Sequence, residues 1–243
     1  MIEFRGVTKT YNAGQPAVED LDLEIGEGEI VALVGTSGCG KTTTLKMVNR
    51  MVEPDRGEVR VQGKSVMEMD PISLRRSIGY VIQEIGLFPH WRVAANIEAV
   101  PKLLGWEAGR RMERRDALLR MVGLEPSAYA SKYPDELSGG QRQRVGFARA
   151  LAADPSILLM DEPFGALDPI TRRRLRAELG SLCRQLKKTV LFVTHDPVEA
   201  LLLGDRIAVM DAGRLCQVGT PRQIRGQPAS ELVRELMTIE APA

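Results

Sequence analysis

A glycine-rich segment at residues 35–42 has the residue types and the spacing of a phosphate-binding loop. Its sequence, GTSGCGKT, fits the pattern G-x-x-x-x-G-K-[ST]. An apolar strand is predicted before it at residues 29–34, and a helix is predicted after it at residues 41–51. In this setting backbone amides and the helix N-terminus surround phosphate oxygens, and Lys41 reaches the β- and γ-phosphates. The Thr42 hydroxyl can ligate Mg²⁺, so the segment predicts binding of a nucleoside triphosphate with Mg²⁺.

Two acidic residues follow a second apolar run, which covers residues 157–160. Because ligands of open α/β sheets bind at the carboxyl ends of the strands, Asp161 and Glu162 are placed for chemistry there. Asp161 is a candidate Mg²⁺ ligand, directly or through water. Glu162 is one residue further along and points to the other side of the strand, where it could polarise an attacking water as a general base.

The positions of these motifs depend on a fold in which short strands alternate with helices. Apolar strands are predicted at residues 29–34, 156–160, 189–194 and 206–210. Because helical segments separate the last three, they predict βαβ units and a parallel central sheet. Residues 21–25 alternate apolar and acidic side chains, which indicates a half-buried antiparallel strand. A hairpin turn is predicted at residues 210–214, before a strand at 215–218.

One stretch of the chain differs in composition from the rest. Residues 92–152 are rich in charge and in helical periodicity, with 107–122 as the longest helical segment of that stretch. We interpret it as a helical subdomain inserted into an α/β core, which is formed by residues 1–91 and 153–220 and includes an antiparallel β part. Residues 221–243 are predicted to form at most two short helices and a polar tail.

The composition excludes several classes of protein. Lys and Arg number 33 and Asp and Glu number 32, and the resulting net charge of +1 argues against a dedicated nucleic-acid-binding protein. Hydrophobic residues make up 44% and charged residues 27%, which excludes intrinsic disorder. The apolar runs are short, so we expect no membrane-spanning helix, which needs about 20 residues. Cys39, Cys183 and Cys216 show neither metal-site nor disulfide spacing and fit a reducing compartment.

Two basic clusters raise the alternative of a surface that binds the phosphates of a nucleic acid. They lie at residues 110–115 and 172–176. Acidic residues stand among or beside them and the whole chain is close to neutral, so we favour a solvated helix face at both places.

A second candidate anion site follows from the pentapeptide Leu-Ser-Gly-Gly-Gln at residues 137–141. Ser138 and Gln141 form a capping box that opens a helix predicted at residues 141–152. The two glycines between them let the backbone approach an anion at that helix N-terminus. An ordinary helix cap would be the preferred interpretation if this pentapeptide stood alone.

Together with the phosphate loop and the acidic pair, this pentapeptide resembles the signature sequence of the ATP-binding subunits of ABC transporters. The resemblance covers essentially the whole chain, and its motifs stand in the order found in that family. It implies a P-loop NTPase core of the RecA-like type, within the α/β class, with an antiparallel β subdomain and an inserted helical signature subdomain. It also implies that the chain hydrolyses ATP with Mg²⁺ and that a membrane partner performs the transport step.

The resemblance implies roles for residues whose chemistry the motifs alone leave open. Tyr11 matches the aromatic residue that stacks on adenine, and Gln83 matches the glutamine that senses Mg²⁺ and the γ-phosphate. His195 matches the histidine that contacts the γ-phosphate and is implied, with Glu162, to be catalytic. The implied ATP-binding residues are Tyr11, Gly35, Thr36, Ser37, Gly38, Cys39, Gly40, Lys41, Thr42, Thr43 and Gln83. The implied Mg²⁺ ligands are Thr42, Gln83 and Asp161.

In this family one ATP lies between the phosphate loop of one subunit and the signature serine of the other. Two copies of the chain are therefore implied to form a head-to-tail homodimer with two composite ATP sites. The residues implied to act across that dimer are Ser138, Gly139, Gly140, Gln141 and Asp168. ATP would close the dimer and hydrolysis would reopen it, and this movement would drive a conformational change in integral membrane permease subunits.

Several segments are similar in more detail to the ATPase subunits of bacterial osmoprotectant importers. They cover residues 42–54, 74–83, 85–101 and 161–169. This likeness implies transport of glycine betaine, choline or a related quaternary amine, delivered by a periplasmic or lipid-anchored substrate-binding protein. It also implies a peripheral position on the cytoplasmic face of the bacterial inner membrane, without a nucleic-acid partner.

Two other functions remain open at this point. The chain could power an importer of another small solute, such as an amino acid or an organic sulfonate, because this subunit contacts no solute itself. A non-transport ATPase acting on nucleic acid or ribosomes is disfavoured by the single phosphate loop.

For the aromatic segment at residues 88–91 we favour contact with a permease over generic packing. The sequence ends at Ala243, so we expect no C-terminal regulatory modules, and Glu84 departs from the family pattern without an explanation.

Overall fold

The chain separates into two compact units. Unit 1 comprises Met1–Arg75 and Lys187–Ala243, and unit 2 comprises Arg76–Leu186. The structure is a computed structural model that describes residues 1–11, 14–83, 86–165 and 167–238. Residues 12 and 13, Glu84, Ile85, Ala166 and the tail after residue 238 therefore lie outside the described residues.

Strands and helices alternate along much of the chain. The strands are β1 Ile2–Lys9, β2 Val18–Ile25, β3 Ile30–Gly35, β4 Arg56–Val61, β5 Lys64–Ser65, β6 Ile78–Val81, β7 Ile157–Asp161, β8 Thr189–Val193, β9 Arg206–Asp211 and β10 Arg214–Gly219. The helices are α1 Lys41–Val48, α2 Pro71–Ser77, α3 Val93–Leu103, α4 Ala108–Met121, α5 Pro126–Tyr129, α6 Gly139–Leu151, α7 Pro169–Gln185, α8 Pro197–Leu203, α9 Pro221–Gly226 and α10 Glu231–Met237. A 3₁₀ turn at Pro134–Glu136 precedes α6.

An antiparallel sheet in unit 1 has the strand order β2-β1-β4-β5. In its register Ile2 lies opposite both Ile25 on β2 and Val61 on β4. Leu21, Leu23 and Ile25 are buried while the acidic residues between them are exposed. This alternation confirms the half-buried antiparallel strand predicted from the sequence, because successive side chains of a strand point to opposite faces.

The strands β10-β9-β3-β8 of unit 1 form a second, mainly parallel arrangement. All six residues of β3 are buried, as expected for a central parallel strand covered on both faces. Its neighbours run parallel to it, with Ile30 opposite Val190 on β8 and Val31 opposite Arg206 on β9. The hairpin between β9 and β10 lies where the sequence predicts it. The α/β class and the parallel core are therefore confirmed.

Unit 2 combines helices α3 to α7 with the parallel strand pair β6 and β7, in which Ile78 lies opposite Ile157. All regular elements between residues 92 and 152 are helical. Helix α6 packs against α3 and α4, and buried apolar residues such as Leu118 and Phe147 fill the space among these helices. The sequence therefore predicts the helical character of this stretch well.

Some elements are not recognisable from the sequence pattern. Strands β1 and β4 carry many polar residues, and the residues that pair between these two strands are 48 to 59 positions apart in the sequence. Strand β6 is only four residues long. Among the described helices, none combines the length and the apolar character needed to cross a membrane.

Candidate active site

The segment between β3 and α1 is a tight loop whose glycines are required by close approach of the backbone. A Cβ atom at Gly35 would lie 2.0 Å from the carbonyl oxygen of Met210 on β9. A Cβ atom at Gly40 would lie 2.1 Å from the carbonyl oxygen of Ala17, and Gly40 has a φ of 102°. Both positions therefore admit glycine alone, since real side chains do not approach backbone oxygen so closely.

Lys41 is the cation of this loop. Its side chain is 7% exposed, and its Nζ atom donates hydrogen bonds of 2.8 Å to the carbonyl oxygens of Gly35 and Thr36. Helix α1 begins at Lys41 after Gly40, without a side-chain cap and without an acidic residue in its first turn. Because the first amides of a helix have no intrahelical partner, this end can accept an anion beside the lysine ammonium.

Two further residues that are predicted to bind ATP make hydrogen-bond contacts around this loop. The Tyr11 hydroxyl lies 3.2 Å from Oγ1 of Thr43, and the Tyr11 side chain is 56% exposed. Thr36 donates a hydrogen bond of 3.1 Å from its hydroxyl to Asp211, at the end of β9. The structure therefore brings an exposed aromatic ring to the phosphate loop, as the adenine-stacking prediction requires.

His195 lies in unit 1, one residue beyond the buried Thr194 that follows β8. The Thr194 hydroxyl donates to Glu199 at 2.5 Å and accepts a hydrogen bond of 3.0 Å from the Asp196 amide. Asp196 caps α8 by accepting from the amide of Val198. These bonds fix the turn that presents the exposed His195 side chain.

In unit 2, the predicted general base and the predicted sensing glutamine are in contact. Gln83 Nε2 donates a hydrogen bond of 3.1 Å to Oε2 of Glu162. Glu162 adopts a left-handed backbone conformation with a φ of 45°, which is uncommon for a residue with a side chain. Backbone strain of this kind persists where the surroundings hold it, and it is frequent at functional sites.

Asp161 is the last residue of β7 and is only 4% exposed. Burial, together with the charge of Asp161, raises the pKa of Tyr80 on β6 to about 12. Tyr80 therefore remains a neutral phenol beside this carboxylate at physiological pH. A buried carboxylate at the carboxyl end of a parallel strand is suited to a hard cation such as Mg²⁺.

The signature pentapeptide opens helix α6 as predicted. The Gln141 amide donates to Oγ of Ser138 at 3.3 Å, and the Ser138 amide donates to Oε1 of Gln141 at 2.9 Å, so the capping box is confirmed. Gln141 also donates from Nε2 to the hydroxyl of Tyr129 at 3.0 Å. A Cβ atom at Gly140 would lie 2.7 Å from a methyl carbon of Thr171, so α6 and α7 begin close together.

Asp168 caps helix α7. Its carboxylate accepts a hydrogen bond of 3.0 Å from the amide of Thr171, and Pro169 occupies the first helical position. The hydrogen bonds from Thr171 hold the pKa of Asp168 below its usual range. Asp168 is exposed and stands near the signature glycines through the shared contact with Thr171.

The predicted site residues thus form a separate constellation in each unit. Unit 1 holds the phosphate loop, Tyr11 and His195, and unit 2 holds the acidic pair, Gln83, the signature and Asp168. The three predicted Mg²⁺ ligands divide between them, with Thr42 in unit 1. Within the described ranges, no group of three or more His, Cys, Asp and Glu side chains clusters as a metal site. A hydroxyl, an amide and one carboxylate nevertheless supply the oxygen ligands that Mg²⁺ prefers.

Three residues around these loops are important in the structure but were not singled out from the sequence. Asn96 is fully buried and bonds the amide and carbonyl of Phe88 and the carbonyl of Trp91, so it shapes the predicted partner segment. Gln143 on α6 donates to the carbonyl of Pro163, and Arg172 on α7 donates to the carbonyl of Leu167 at 2.9 Å. Polar residues inside apolar helical faces are the only sequence signal for such positions.

The two basic clusters behave differently. In the first, Arg111 and Arg115 both pair with Glu98, and Arg110 stacks over the ring of Trp106 at 3.7 Å. These contacts fit a helix face whose charges are paired within the protein. The second cluster includes Arg176, which is only 8% exposed, so the predicted solvated face is wrong at that position.

The class of protein follows from comparison of this architecture with known families. The family model described as "ABC transporter" matches residues 18–165, from β2 to the segment after β7. A dimeric structure of the ATP-binding cassette MJ0796, bound to ADP and Pi, superimposes with a TM-score of 0.81 at 36% identity, over 91% of this chain and 99% of that one. The chain belongs to the ABC transporter family, as the sequence motifs predict.

Individual relatives are similar over nearly the whole chain. The glycine betaine/carnitine/choline transport ATP-binding protein OpuCA of Bacillus subtilis is 53% identical over 98% of this chain and 62% of its own length. The glycine betaine uptake system ATP-binding protein YehX of Escherichia coli is 52% identical over 97% of this chain and 76% of its own. The chain thus spans about 60% of the length of several of the curated relatives it matches.

Proposed function

We propose that this chain is the ATP-hydrolysing subunit of an ABC importer for a quaternary-amine osmoprotectant. The observation that carries the ATPase part is the loop between β3 and α1, where the Lys41 ammonium bonds the carbonyl oxygens of Gly35 and Thr36 beside an uncapped helix N-terminus. That arrangement suits the polyphosphate of a nucleotide, because a cation and aligned N–H donors face the same space.

In this proposal the residues of the phosphate loop bind and orient ATP. Lys41 exchanges its bonds with the carbonyls of Gly35 and Thr36 for phosphate oxygens, and the amides at the start of α1 bind the same group. The exposed ring of Tyr11 stacks on the adenine. Thr42, Gln83 and Asp161 would hold Mg²⁺, which supplies positive charge to the phosphates when bound.

Glu162 is the proposed general base. Its carboxylate accepts from the Gln83 amide, so the two side chains are oriented together before a nucleotide binds. From that position Glu162 would accept a proton from the attacking water, and His195 would contact the γ-phosphate. Orientation of the water and stabilisation of charge provide most of the rate in phosphoryl transfer, because the transition state is loose.

We further propose that two copies of the chain form a head-to-tail dimer. In it the exposed signature serine Ser138, with Gly139, Gly140, Gln141 and Asp168, would complete the ATP site of the partner. Support comes from the exposed position of Ser138 at the start of α6 and from the dimeric structure of the similar cassette MJ0796. ATP that contacts both subunits only in the closed dimer would favour closure through its higher affinity for that state.

Dimer formation has its own test. In the Glu162→Gln background, which retains ATP, Ser138→Arg should abolish the ATP-dependent shift in size-exclusion chromatography while each monomer still binds ATP. Ser131→Arg, an exposed serine in the same unit, serves as the matched control and should leave the shift unchanged. A dimer that persists with both Glu162→Gln and Ser138→Arg would contradict the arrangement.

The transported solute is proposed from the relatives, whose names specify glycine betaine, carnitine and choline. In this proposal the chain acts at the cytoplasmic face of the bacterial inner membrane, bound to permease subunits. A periplasmic or lipid-anchored binding protein delivers the solute to those subunits. The loop containing Phe88 and Trp91, whose exposed rings lie 4.5 Å apart, is the proposed contact with the permease. No nucleic-acid partner is proposed.

Reconstitution tests the transport part of the proposal. The chain is assembled in liposomes with its permease and binding protein, and ATP hydrolysis is measured with glycine betaine, choline, carnitine or proline. At least one quaternary amine should stimulate hydrolysis, whereas an amino acid without that group should not. Stimulation by an unrelated solute alone would refute the proposed substrate class but leave the ATPase assignment intact.

A further inference from the structure

The signature helix α6 reaches the loop of the proposed general base through one buried amide. Gln143 is 3% exposed and lies five residues after Ser138 on the same helix. Its Nε2 atom donates a hydrogen bond to the carbonyl oxygen of Pro163, the residue that follows Glu162 by one position. A helix is stiff over so short a distance, so the N-terminus of α6 and this amide move together.

The loop that receives this bond is held at several other points. The Gly165 amide donates to the carbonyl of Glu162 at 3.2 Å, which closes a tight turn. Arg172 on α7 donates to the carbonyl of Leu167 at 2.9 Å and to that of Gly165 at 3.4 Å. Glu162 itself keeps its left-handed backbone conformation within this turn. Side chains from two helices therefore fix the backbone that carries the carboxylate.

The bond from Gln143 acts on the peptide group between Pro163 and Phe164, one residue beyond that strained residue. Buried carbonyl groups are almost always hydrogen-bonded, and the carbonyl of Pro163 meets the amide of Gln143 in a buried environment. If the amide donor is lost, the Pro163–Phe164 peptide can rotate to find another partner. That peptide lies inside the turn that the Gly165 amide closes onto the carbonyl of Glu162, so its rotation would disturb the backbone of Glu162. The side chain of Glu162 is aimed by its backbone, and its carboxylate would therefore move relative to Gln83.

We propose that Gln143 is a positioning residue for Glu162, through which the signature helix sets the orientation of the catalytic carboxylate. The inference rests on the proposed role of Glu162 and adds to it a buried residue that bonds the loop of that carboxylate. Its effect falls on the chemical step, since ATP is bound by the separate loop that contains Lys41. Loss of the amide should thus lower kcat and leave KM for ATP nearly unchanged.

The first experiment measures steady-state ATP hydrolysis by the full chain and its Gln143→Met variant, which retains the volume but loses the donor. We expect kcat to fall about 10- to 100-fold, the size expected for a misplaced catalytic group, with KM changed less than about twofold. The control is Arg144→Met, because Arg144 also lies on α6 but bonds outside the loop of Glu162, to the carbonyl of Val122 and to the carboxylate of Glu178 on α7. It should retain kcat within about twofold.

A second variant separates positioning from general packing. In Gln143→Glu a buried carboxyl can donate to the Pro163 carbonyl only when it is protonated, and burial raises the pKa of such a group. The kcat of Gln143→Glu, divided by that of Gln143→Met at the same pH, should therefore rise as pH falls from about 8 to about 6. A ratio that stays constant with pH would contradict the role of the donor.

A third measurement does not depend on activity. Hydrogen–deuterium exchange of the peptide spanning residues 161–168 should become faster in Gln143→Met and remain unchanged in Arg144→Met. Faster exchange with lowered kcat supports the inference. Unchanged exchange, or parental kcat in Gln143→Met, overturns it. A parent chain without ATP hydrolysis would refute the proposed function, and the exchange experiment would still decide whether Gln143 holds this loop.

Discussion

The phosphate loop after β3 and the loop after β7 that carries the proposed general base, which we call the catalytic loop, are held by different means. The phosphate loop is held mainly through backbone, because Gly35 and Gly40 lie close to the carbonyl oxygens of Met210 and Ala17. Lys41 adds two bonds to carbonyls of the loop itself. After β7, the loop is held by side chains that stand far away in the sequence, among them Gln83, 79 residues before Glu162.

This difference has a functional counterpart. A loop fixed by close backbone packing presents its donors rigidly, which suits binding of a common phosphate group. A loop fixed by side chains from helices α6 and α7 changes when those helices move, which suits a catalytic group that must respond to a signal. The phosphate loop would thus bind ATP, and the catalytic loop would control its hydrolysis.

The largest expected effect is on ATP affinity in Lys41→Ala. Removing the ammonium should weaken ATP binding about 100-fold, or roughly 3 kcal/mol, because charge-assisted bonds to phosphate are lost. Isothermal titration calorimetry of the two proteins measures this change. Lys46→Ala removes a lysine further along the same helix and should bind ATP as the parent does. Equal affinity in Lys41→Ala and the parent would show that this loop is not the nucleotide site.

Comparison of Gly40→Ala with Gly38→Ala tests whether close packing of the backbone holds the phosphate loop in place. Both glycines have positive φ, but only Gly40 would place a Cβ atom against backbone, at Ala17. We expect Gly40→Ala to lower the free energy of unfolding by about 3 kcal/mol, and Gly38→Ala by about 1 kcal/mol from backbone strain alone. Urea denaturation measures both, and equal losses would remove the argument from close approach.

A smaller effect is expected when the catalytic loop loses one of its side-chain bonds. Arg172→Met removes the donor to the carbonyls of Leu167 and Gly165, at a cost of about 1 kcal/mol in unfolding free energy. ATP affinity should be unchanged, while turnover should fall about threefold as the loop loosens. Arg173→Met, an exposed neighbour on the same helix, should alter neither quantity. A larger loss in ATP affinity than in turnover would contradict the assignment of ATP binding to one loop and control of hydrolysis to the other.

The same difference between the two loops explains which structural features of the protein can be predicted from its sequence. The phosphate loop follows from one contiguous motif, and the caps at Ser138, Asp168 and Asp196 follow from local spacing, so all of them are visible in the sequence. The contacts of Gln143 and Arg172 are not, because a hydrogen bond to a distant carbonyl leaves no pattern of side chains in the accepting segment. Strand β1 was missed for a similar reason, since its partners are set by tertiary pairing.

The resemblance to ABC transporters extends prediction beyond what local patterns give. Gln83 and Glu162 are 79 residues apart, and only the resemblance places both in one catalytic site, where the structure brings them within 3.1 Å. Neither the local patterns nor the resemblance predicts that Arg176 is buried, because a run of arginines on a helix is usually solvated.

The most direct test of the account measures ATP binding and ATP hydrolysis in the parent chain and in Glu162→Gln. The account predicts that the variant loses turnover by about 100-fold or more, since the base is removed, and that its ATP affinity stays close to that of the parent, since the phosphate loop is untouched. Phosphate release and calorimetric titration give the two quantities. Near-parental hydrolysis by Glu162→Gln would contradict the assignment of the catalytic loop and with it the separation of binding from catalysis.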